Sequence, residues 1–392
     1  MKLLFVHDNV YLTHNGSVYS NAFPYTTLKR YADVFSEVTV VARSKAVASA
    51  DGMPLAEGEG VRFVFLESIA SLRSFFGLRQ RHRRTMADLV TAHDAVIVRL
   101  PSEFGAMAAQ EAFRLRRSYL AEVVGCAWDA LWHYGKWRAR LYALPAFMKM
   151  RRAVRRADYV SYVTQHFLQK RYPASHHAKH VGVSDVELPG LLETTLVRRL
   201  ERIESPKEKI VLGTIANLDM KYKGLETAVR ALAETEAAGV TLHYRILGEG
   251  DPGPYRRLAE RLGVADRVFF DAPLPPGGAV HAWLDGIDVY LQPSLTEGLP
   301  RSLAEAMGRG CPAVGSTAGG IPELLEKRML FDHKKPGELA PLLGGLIGSK
   351  ALMKAAAARN FREARRYEQS VLDGKRRAFL AAYRDAMLSK AR

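Results

Sequence analysis

An alternation that runs twice constrains this chain more than any other feature. Short β-branched runs alternate with amphipathic helical stretches from residue 2 onward, fade between 188 and 209, and begin again at Ile210. Such alternation calls for parallel sheets with crossover helices. In the first half the strand-like runs are 2–6, 38–42, 61–66, 95–98, 121–124 and 159–163, with a very basic helical stretch over 72–90. In the second half strands are expected at 210–215, 241–247, 267–270, 288–292 and 312–316. Helices are expected between and after them at 224–237, 254–262, 279–285, 300–308 and 321–326. The reading is an α/β protein of two doubly wound Rossmann-like domains, 1–190 and 210–350, facing a cleft. Residues 191–209, which include Ser205-Pro206-Lys207-Glu208-Lys209, read as a linker. Residues 351–392 read as C-terminal helices packing back toward the N-terminal domain. Ligands of open parallel sheets sit beyond the carboxyl ends of the strands, so the functional residues belong in the loops there.

Composition narrows the class. Apolar residues make up 48% and charged residues 25%, values of a globular chain rather than a disordered one. Two cysteines, Cys126 and Cys311, exclude a disulfide scaffold and a four-cysteine zinc site, and point to a reducing, cytoplasmic setting. No run approaches the eighteen or so apolar residues of a membrane span. The apolar start stops at His7-Asp8-Asn9, too soon for a secretory core. The net charge is +16, and it is uneven: residues 1–200 hold 28 Lys/Arg against 17 Asp/Glu. That surface favours anionic partners.

The richest segment is 292–325, QPSLTEGLPRSLAEAMGRGCPAVGSTAGGIPELL. Pro300 suits the first turn of a helix, where its missing N–H would be unpaired anyway. The helix N-terminus offers free N–H groups and a positive dipole end, a seat for a phosphate. Glu297 precedes that helix and Glu305 lies inside it. Carboxylates would repel a phosphate. They suit the acceptance of hydrogen bonds from hydroxyl groups on either side of it, as a nucleotide-sugar presents. Two solvated surface glutamates are the plain alternative.

The segment resembles the donor-binding motif of retaining glycosyltransferases of the GT-B fold, family 4, also called glycosyl transferases group 1. The match consists of Glu297, seven residues, Glu305, then Gly310-Cys311-Pro312 and Gly319-Gly320-Ile321-Pro322-Glu323. Lys223-Gly224 before a helix and Gly248-Glu249-Gly250 extend it through the second half. The resemblance implies that Glu305 binds the ribose hydroxyls and Glu297 the transferred sugar near the reaction centre. It implies backbone approach to the diphosphate at Gly298, Leu299 and Arg301, and charge neutralisation by Lys223. It also implies a nucleotide diphosphate sugar as donor substrate, a UDP-sugar expected, with no separate cofactor. A glycan or lipid-linked acceptor of bacterial surface polysaccharide synthesis completes it. One position departs: where many members carry arginine six residues before the lysine, this chain has Asn217, and Lys221 or Arg301 would have to substitute.

The first half is less diagnostic. Gly16, in His14-Asn15-Gly16-Ser17, fits a glycine loop lining the cleft or an ordinary turn. Arg99 and Ser102 follow a strand and are placed on the acceptor side. Asp129 and His133 stand four apart, on one face if helical, as a base near the acceptor hydroxyl or as a structural pair. His133 is the first choice for a reaction-centre histidine, ahead of His7 and His14. No Asp-x-Asp and no His/Cys cluster has metal-ligand spacing, so no metal is expected.

Other classes remain to be separated. A Rossmann dehydrogenase lacks its Gly-x-Gly-x-x-Gly after the first strand. A sugar-nucleotide epimerase shares the fold and would need no acceptor. A basic nucleic-acid-binding protein lacks any such motif, and nucleic acid is not expected as a partner. Residues 136–156 hold eight Lys/Arg, no acid and several aromatic residues, and a second basic run spans 79–84. Such segments can lie on an anionic membrane surface, here the inner membrane, or form a solvated basic face. Pro145 is expected to divide the first into two short helices.

Overall fold

In a computed structural model describing residues 1–67, 75–133, 137–235 and 239–391, the chain forms two compact units. The first comprises Met1–Ala127, Leu144–Val183 and Asp373–Arg392, and the second Trp128–Ala143 and Ser184–Leu372.

The first unit is built on an eight-stranded sheet. Its strands are β1 (Lys2–His14), β2 (Ser17–Tyr19), β3 (Glu37–Ala46), β4 (Val61–Phe65), β5 (Ala95–Leu100), β6 (Leu120–Val123), β7 (Tyr159–Tyr162) and β8 (Lys179–Gly182). The order is β4-β3-β1-β5-β6-β7-β8, all parallel, with β2 antiparallel to β1. The strand starts are continuous apolar runs because both faces are covered, as helices on both sides of a parallel sheet require. Leu3 to Val6 and Val96 to Val98 are accordingly buried. The helices up to residue 171 are α1 (Tyr25–Ala32), α2 (Phe75–Ala92), α3 (Glu103–Arg114), α4 (Ala127–Trp132), α5 (Trp137–Arg156) and α6 (Phe167–Arg171).

The second unit carries a six-stranded parallel sheet. Its strands are β9 (Lys209–Ile215), β10 (Thr241–Leu247), β11 (Val268–Asp271), β12 (Val289–Gln292), β13 (Ala313–Ser316) and β14 (Leu330–Phe331), in the order β11-β10-β9-β12-β13-β14. That is the doubly wound order, with the direction of winding reversing between β9 and β12. Helices α7 (Glu193–Glu204), α8 (Leu225–Glu234), α9 (Gly253–Arg261), α10 (Gly278–Asp285), α11 (Arg301–Gly308), α12 (Leu339–Ile347) and α13 (Lys350–Ala364) surround it, and α14 (Gln369–Ala391) ends the chain.

Several expectations change. The first strand does not end at residue 6. A bulge between Val6 and Val10 carries it on to His14 and a hairpin into β2. The expected linker holds α7, whose buried Arg199 donates to the carbonyls of Leu284, Ile287 and Arg309. The unit boundary falls at Ser184 instead, and residues 128–143 group with the second unit. The helix expected at 321–326 is a single 3-10 turn, Ile321–Glu323. Pro145 does not divide α5. The carbonyl it leaves without an N–H donor is that of Leu141, on an exposed side where water can serve it. Residues 72–74, 136 and 236–237 of the expected segments lie outside the described residues.

Candidate active site

The centre of the site lies where β12 runs into the loop before α11. Lys223 Nζ lies 2.7 Å from Glu297 Oε1. Ser294 Oγ donates to the same oxygen at 2.9 Å and Gln292 Nε2 at 3.2 Å, with Gln292 also donating to Ser294 Oγ at 2.8 Å. Three donors converge on Oε1, while Oε2 takes no hydrogen bond from the described residues. One carboxylate oxygen is thus fixed and the other is left for a hydroxyl. Gln292 and Ser294 were missed in the sequence. Their spacing of two, continuing a strand, was the available signal, because alternate residues share a side.

Glycines hold this arrangement. Gly224 has φ +70°, and a Cβ there would stand 2.0 Å from the Pro293 carbonyl oxygen. Leu295 N donates to Tyr222 O at 2.7 Å across the same contact. Backbone contact therefore brings Lys223 onto the loop that carries Glu297. On the other side a Cβ on Gly319 would meet Glu297 O at 2.1 Å, and Gly320 N donates to Gly298 O at 2.8 Å. The glutamate loop is clasped between two glycine turns where no side chain fits.

Glu305 sits in α11, flanked by buried Ala304 and Ala306. Burial pushes its carboxyl above the usual carboxylate value, opposed by the charge of Arg301. Leu299 is buried and Arg301 exposed. No side chain caps the α11 N-terminus, so its first N–H groups remain available to an anion.

Asn217 does not reach toward Lys223. Its Oδ1 accepts from Asp219 N at 2.9 Å and its Nδ2 donates to Glu249 Oε1 at 3.1 Å. With Leu218 N donating to Glu249 O at 2.8 Å, it ties the loop after β9 to the Gly248-Glu249-Gly250 turn after β10.

In the first unit the placements differ more. Asn15 and Gly16, both at positive φ, form the two-residue turn of the β1–β2 hairpin, the ordinary-turn alternative for Gly16. Ser102 caps α3, accepting from Gly105 N at 2.8 Å. The carboxylate of Asp8, overlooked in the sequence, accepts from Glu103 N at 2.5 Å and Phe104 N at 3.0 Å, so it takes the anion seat at that helix. Arg99 pairs with Glu122 at 3.0 Å and lies over the Phe23 ring, while Tyr31 donates to Glu122 at 2.8 Å.

The histidines separate by burial. His7 is 2% exposed, packed against Phe5, Tyr11 and Phe23, and its Nδ1 has no partner among the described residues. Burial, reinforced by the charge of Arg99, pushes its pKa down to about 3. An enclosed neutral ring is a core residue, not a base meeting substrate. His14 lies by the hairpin, its Nδ1 3.1 Å from Val47 O. His133 follows α4, its N–H donating to Asp129 O at 3.1 Å. Burial lowers its ring pKa, with Asp129 opposing and His333 and Arg140 adding to the shift. Both residues fall in the second unit, not in the domain first assigned to them. Among the described residues no group of three His, Cys, Asp or Glu could hold a metal.

Two doubly wound parallel sheets, the second bearing this glutamate loop at the end of β12, define the GT-B class. Comparison bears on what such a fold does here. Residues 209–348 match the family described as Glycosyl transferases group 1. The chain is 29% identical to Protein CapJ of Staphylococcus aureus over 350 residues, 89% of this chain and 87% of that one. It is 35% identical to the amylovoran biosynthesis glycosyltransferase AmsK of Erwinia amylovora over 134 residues, 33% of this chain and 31% of AmsK. Among solved structures, Alr3699/HepE of Anabaena in complex with UDP-glucose superposes with a TM-score of 0.63 at 16% identity, covering 97% of this chain and all of that one. The fold is that of GT-B glycosyltransferases, and the stretch that matches the group 1 glycosyltransferase domain lies in the second unit. The epimerase alternative is not favoured.

Proposed function

We propose that the chain transfers a sugar, with retention, from a UDP-sugar to a glycan or lipid-linked acceptor in bacterial surface polysaccharide synthesis, as a family 4 enzyme. The observation that carries this is the convergence of Lys223, Ser294 and Gln292 on one oxygen of Glu297, beside an uncapped helix N-terminus. The diphosphate lies against the backbone at Gly298 and Leu299 and the α11 N-terminus, with Arg301 at its edge. Lys223 balances the charge of the departing diphosphate, a task that electrostatic preorganisation performs without a metal. Glu297 accepts from the sugar's hydroxyls through its open oxygen, and Glu305 accepts from the ribose. Asp129 and His133 are assigned to the acceptor hydroxyl, with Arg99 and Ser102 on the acceptor side.

The fold relation to HepE, solved with UDP-glucose, supports the UDP-sugar, and AmsK supports the polysaccharide setting. The test is a melting panel with UDP, GDP and ADP, since a ligand of the folded state raises the transition by mass action. It is followed by product analysis with excess EDTA present. A shift with UDP and an α-configured product from an α-linked donor are expected. No shift with any nucleotide, an isomerised donor without acceptor, or activity abolished by EDTA would each overturn part of this reading.

A further inference from the structure

Strand β12 runs Val289-Tyr290-Leu291 and then turns polar at Gln292, a residue 1% exposed, with Ser294 wholly buried two places on. A glutamine at the end of a buried apolar strand destabilises the fold unless each polar atom it brings in is paired. This one is not fully paired: its Oε1 has no hydrogen-bond partner among the described residues. Its Nε2 donates to Ser294 Oγ at 2.8 Å and to Glu297 Oε1 at 3.2 Å. Turning the amide over would set its oxygen against the carboxylate oxygen, so the orphaned atom is the consequence of serving Glu297.

The donations have an order. Ser294 Oγ accepts from Gln292, which leaves its own proton for Glu297 Oε1 at 2.9 Å. Ser294 is itself held from β13, where Ser316 Oγ donates to its carbonyl at 2.5 Å. Lys223 differs in kind from these two neutral donors. It is charged, and its side chain is 21% exposed. In the reading above it also neutralises the diphosphate, so an arriving donor divides one ammonium between two anions. Its hold on Glu297 is then weakest when the sugar is in place. Gln292 and Ser294, buried behind the carboxylate, have no second anion to serve.

We propose that Gln292 and Ser294 are positioning residues that keep the open oxygen of Glu297 on the transferred sugar once the diphosphate has drawn on Lys223. This rests on the donor reading above. Gln292 directs the Ser294 hydroxyl, the two together fix Oε1, and Oε2 is thereby turned to the sugar's hydroxyls. Stability separates this role from a structural one. A glutamine kept for the fold loses stability when replaced. A glutamine with an orphaned buried oxygen, kept for Glu297, gives way to a hydrocarbon of similar size without loss.

The test compares Gln292→Leu, Ser294→Ala and the double variant in the full chain. Melting temperature, calorimetric affinity for UDP, and hydrolysis of UDP-glucose, UDP-galactose and their 2-acetamido forms are read on each. In that hydrolysis the bond from the anomeric carbon to the diphosphate breaks, water's oxygen bonds to that carbon, its proton passes to solvent, and UDP leaves. In Gln292→Leu the melting temperature should hold or rise while kcat falls about tenfold to a hundredfold, as for one hydrogen bond to a charged group. Ser294→Ala should lose kcat similarly, and UDP affinity should be unchanged in both. The double variant should lose less than the product of the single losses, because Gln292 acts in part through Ser294. A melting temperature of Gln292→Leu that falls together with its turnover would make the glutamine structural and overturn the proposal. So would unchanged kcat, a loss of UDP affinity as large as the loss of kcat, or single losses that multiply fully in the double variant. A wild type that does not bind UDP, or hydrolyses none of these donors, defeats the donor reading and this proposal with it. Normal wild-type behaviour with variants that turn over normally defeats the proposal alone.

Discussion

At the residue scale, two glutamates on one loop and helix are asked to do different things, and their surroundings differ accordingly. Glu305 is half-buried in α11, where an alanine between two alanines keeps the helix. Charge-assisted hydrogen bonds contribute about 1.5–3 kcal/mol each, so losing two to ribose hydroxyls in Glu305→Ala should weaken UDP binding about a hundredfold or more. Titration calorimetry checks this. In Glu297→Gln, UDP affinity should largely survive while turnover falls, because that carboxylate is assigned to the sugar. Unchanged turnover with lost UDP affinity would reverse the two roles. His7 supplies a prediction about pH. Its folded pKa of about 3 lies below the ordinary 6.5. The folded state therefore keeps the ring neutral, while the unfolded chain takes up a proton near pH 6.5. The stability this contributes is complete above pH 6.5 and is lost as pH falls toward 3, by at most about 1.4 kcal/mol per pH unit. Denaturant titrations of the wild type and His7→Phe should therefore diverge in slope between pH 6.5 and 5, the variant being flatter. Parallel slopes would mean that another group sets the acid limit.

At the element scale, the second unit was more legible in the sequence than the first. Its strands are short apolar runs bounded by glycine and proline, and Glu297 to Glu323 are consecutive turns of one chain segment. The resemblance to the donor-binding motif could therefore single out Glu297, Glu305 and the Gly319-Gly320 turn within one local segment, where spacing alone left two surface glutamates as the plain alternative. What spacing could not show was the contact of Lys223 with Glu297, which depends on Gly224 meeting Pro293 across 69 residues of chain. In the first unit the obstacle was local. The polar run after Val6 reads as a loop, yet the bulge lets it resume pairing with β3, so His7 enters the core instead of the strand's end. Pro145 misled for a related reason: exposure, which a sequence does not state, decides whether its lost hydrogen bond matters. Gly224 gives the test at this scale. Positive φ and backbone contact oppose any side chain, so Gly224→Ala should cost about 2 kcal/mol or more. It should also lower activity by displacing Lys223, whereas Gly190→Ala, which meets nothing within 4 Å, should do neither.

At the scale of the whole molecule, the order of the chain and the order of packing part company. The chain leaves the first unit at Val183, builds the second, and supplies the first again from Asp373 onward. That last segment is a wall of the first unit's core. Leu380, Tyr383 and Met387 are buried with Phe35, Ala95 and Tyr159. The Tyr383 hydroxyl accepts from Val96 N and donates to Val96 O, each at 3.0 Å, and Tyr159 packs against its ring. The start of β5 is thus joined through a single side chain to a residue near the C-terminus. Truncating a buried aromatic side chain to alanine costs about 3–5 kcal/mol, and here two backbone hydrogen bonds go with it. Tyr383→Ala should therefore lower the melting transition of the first unit. Tyr383→Phe keeps the ring and loses only the hydroxyl, so it should cost less, about 1–3 kcal/mol. The residues proposed to bind UDP lie in the second unit, so UDP should still shift that unit's transition in both variants. A chain ended at residue 372 should behave like an extreme case, exposing the apolar face of the first unit and aggregating while its second unit still responds to UDP. Calorimetry with and without UDP reads all three. If the truncated chain keeps an unchanged first transition, the C-terminal helix is an accessory and not part of that core.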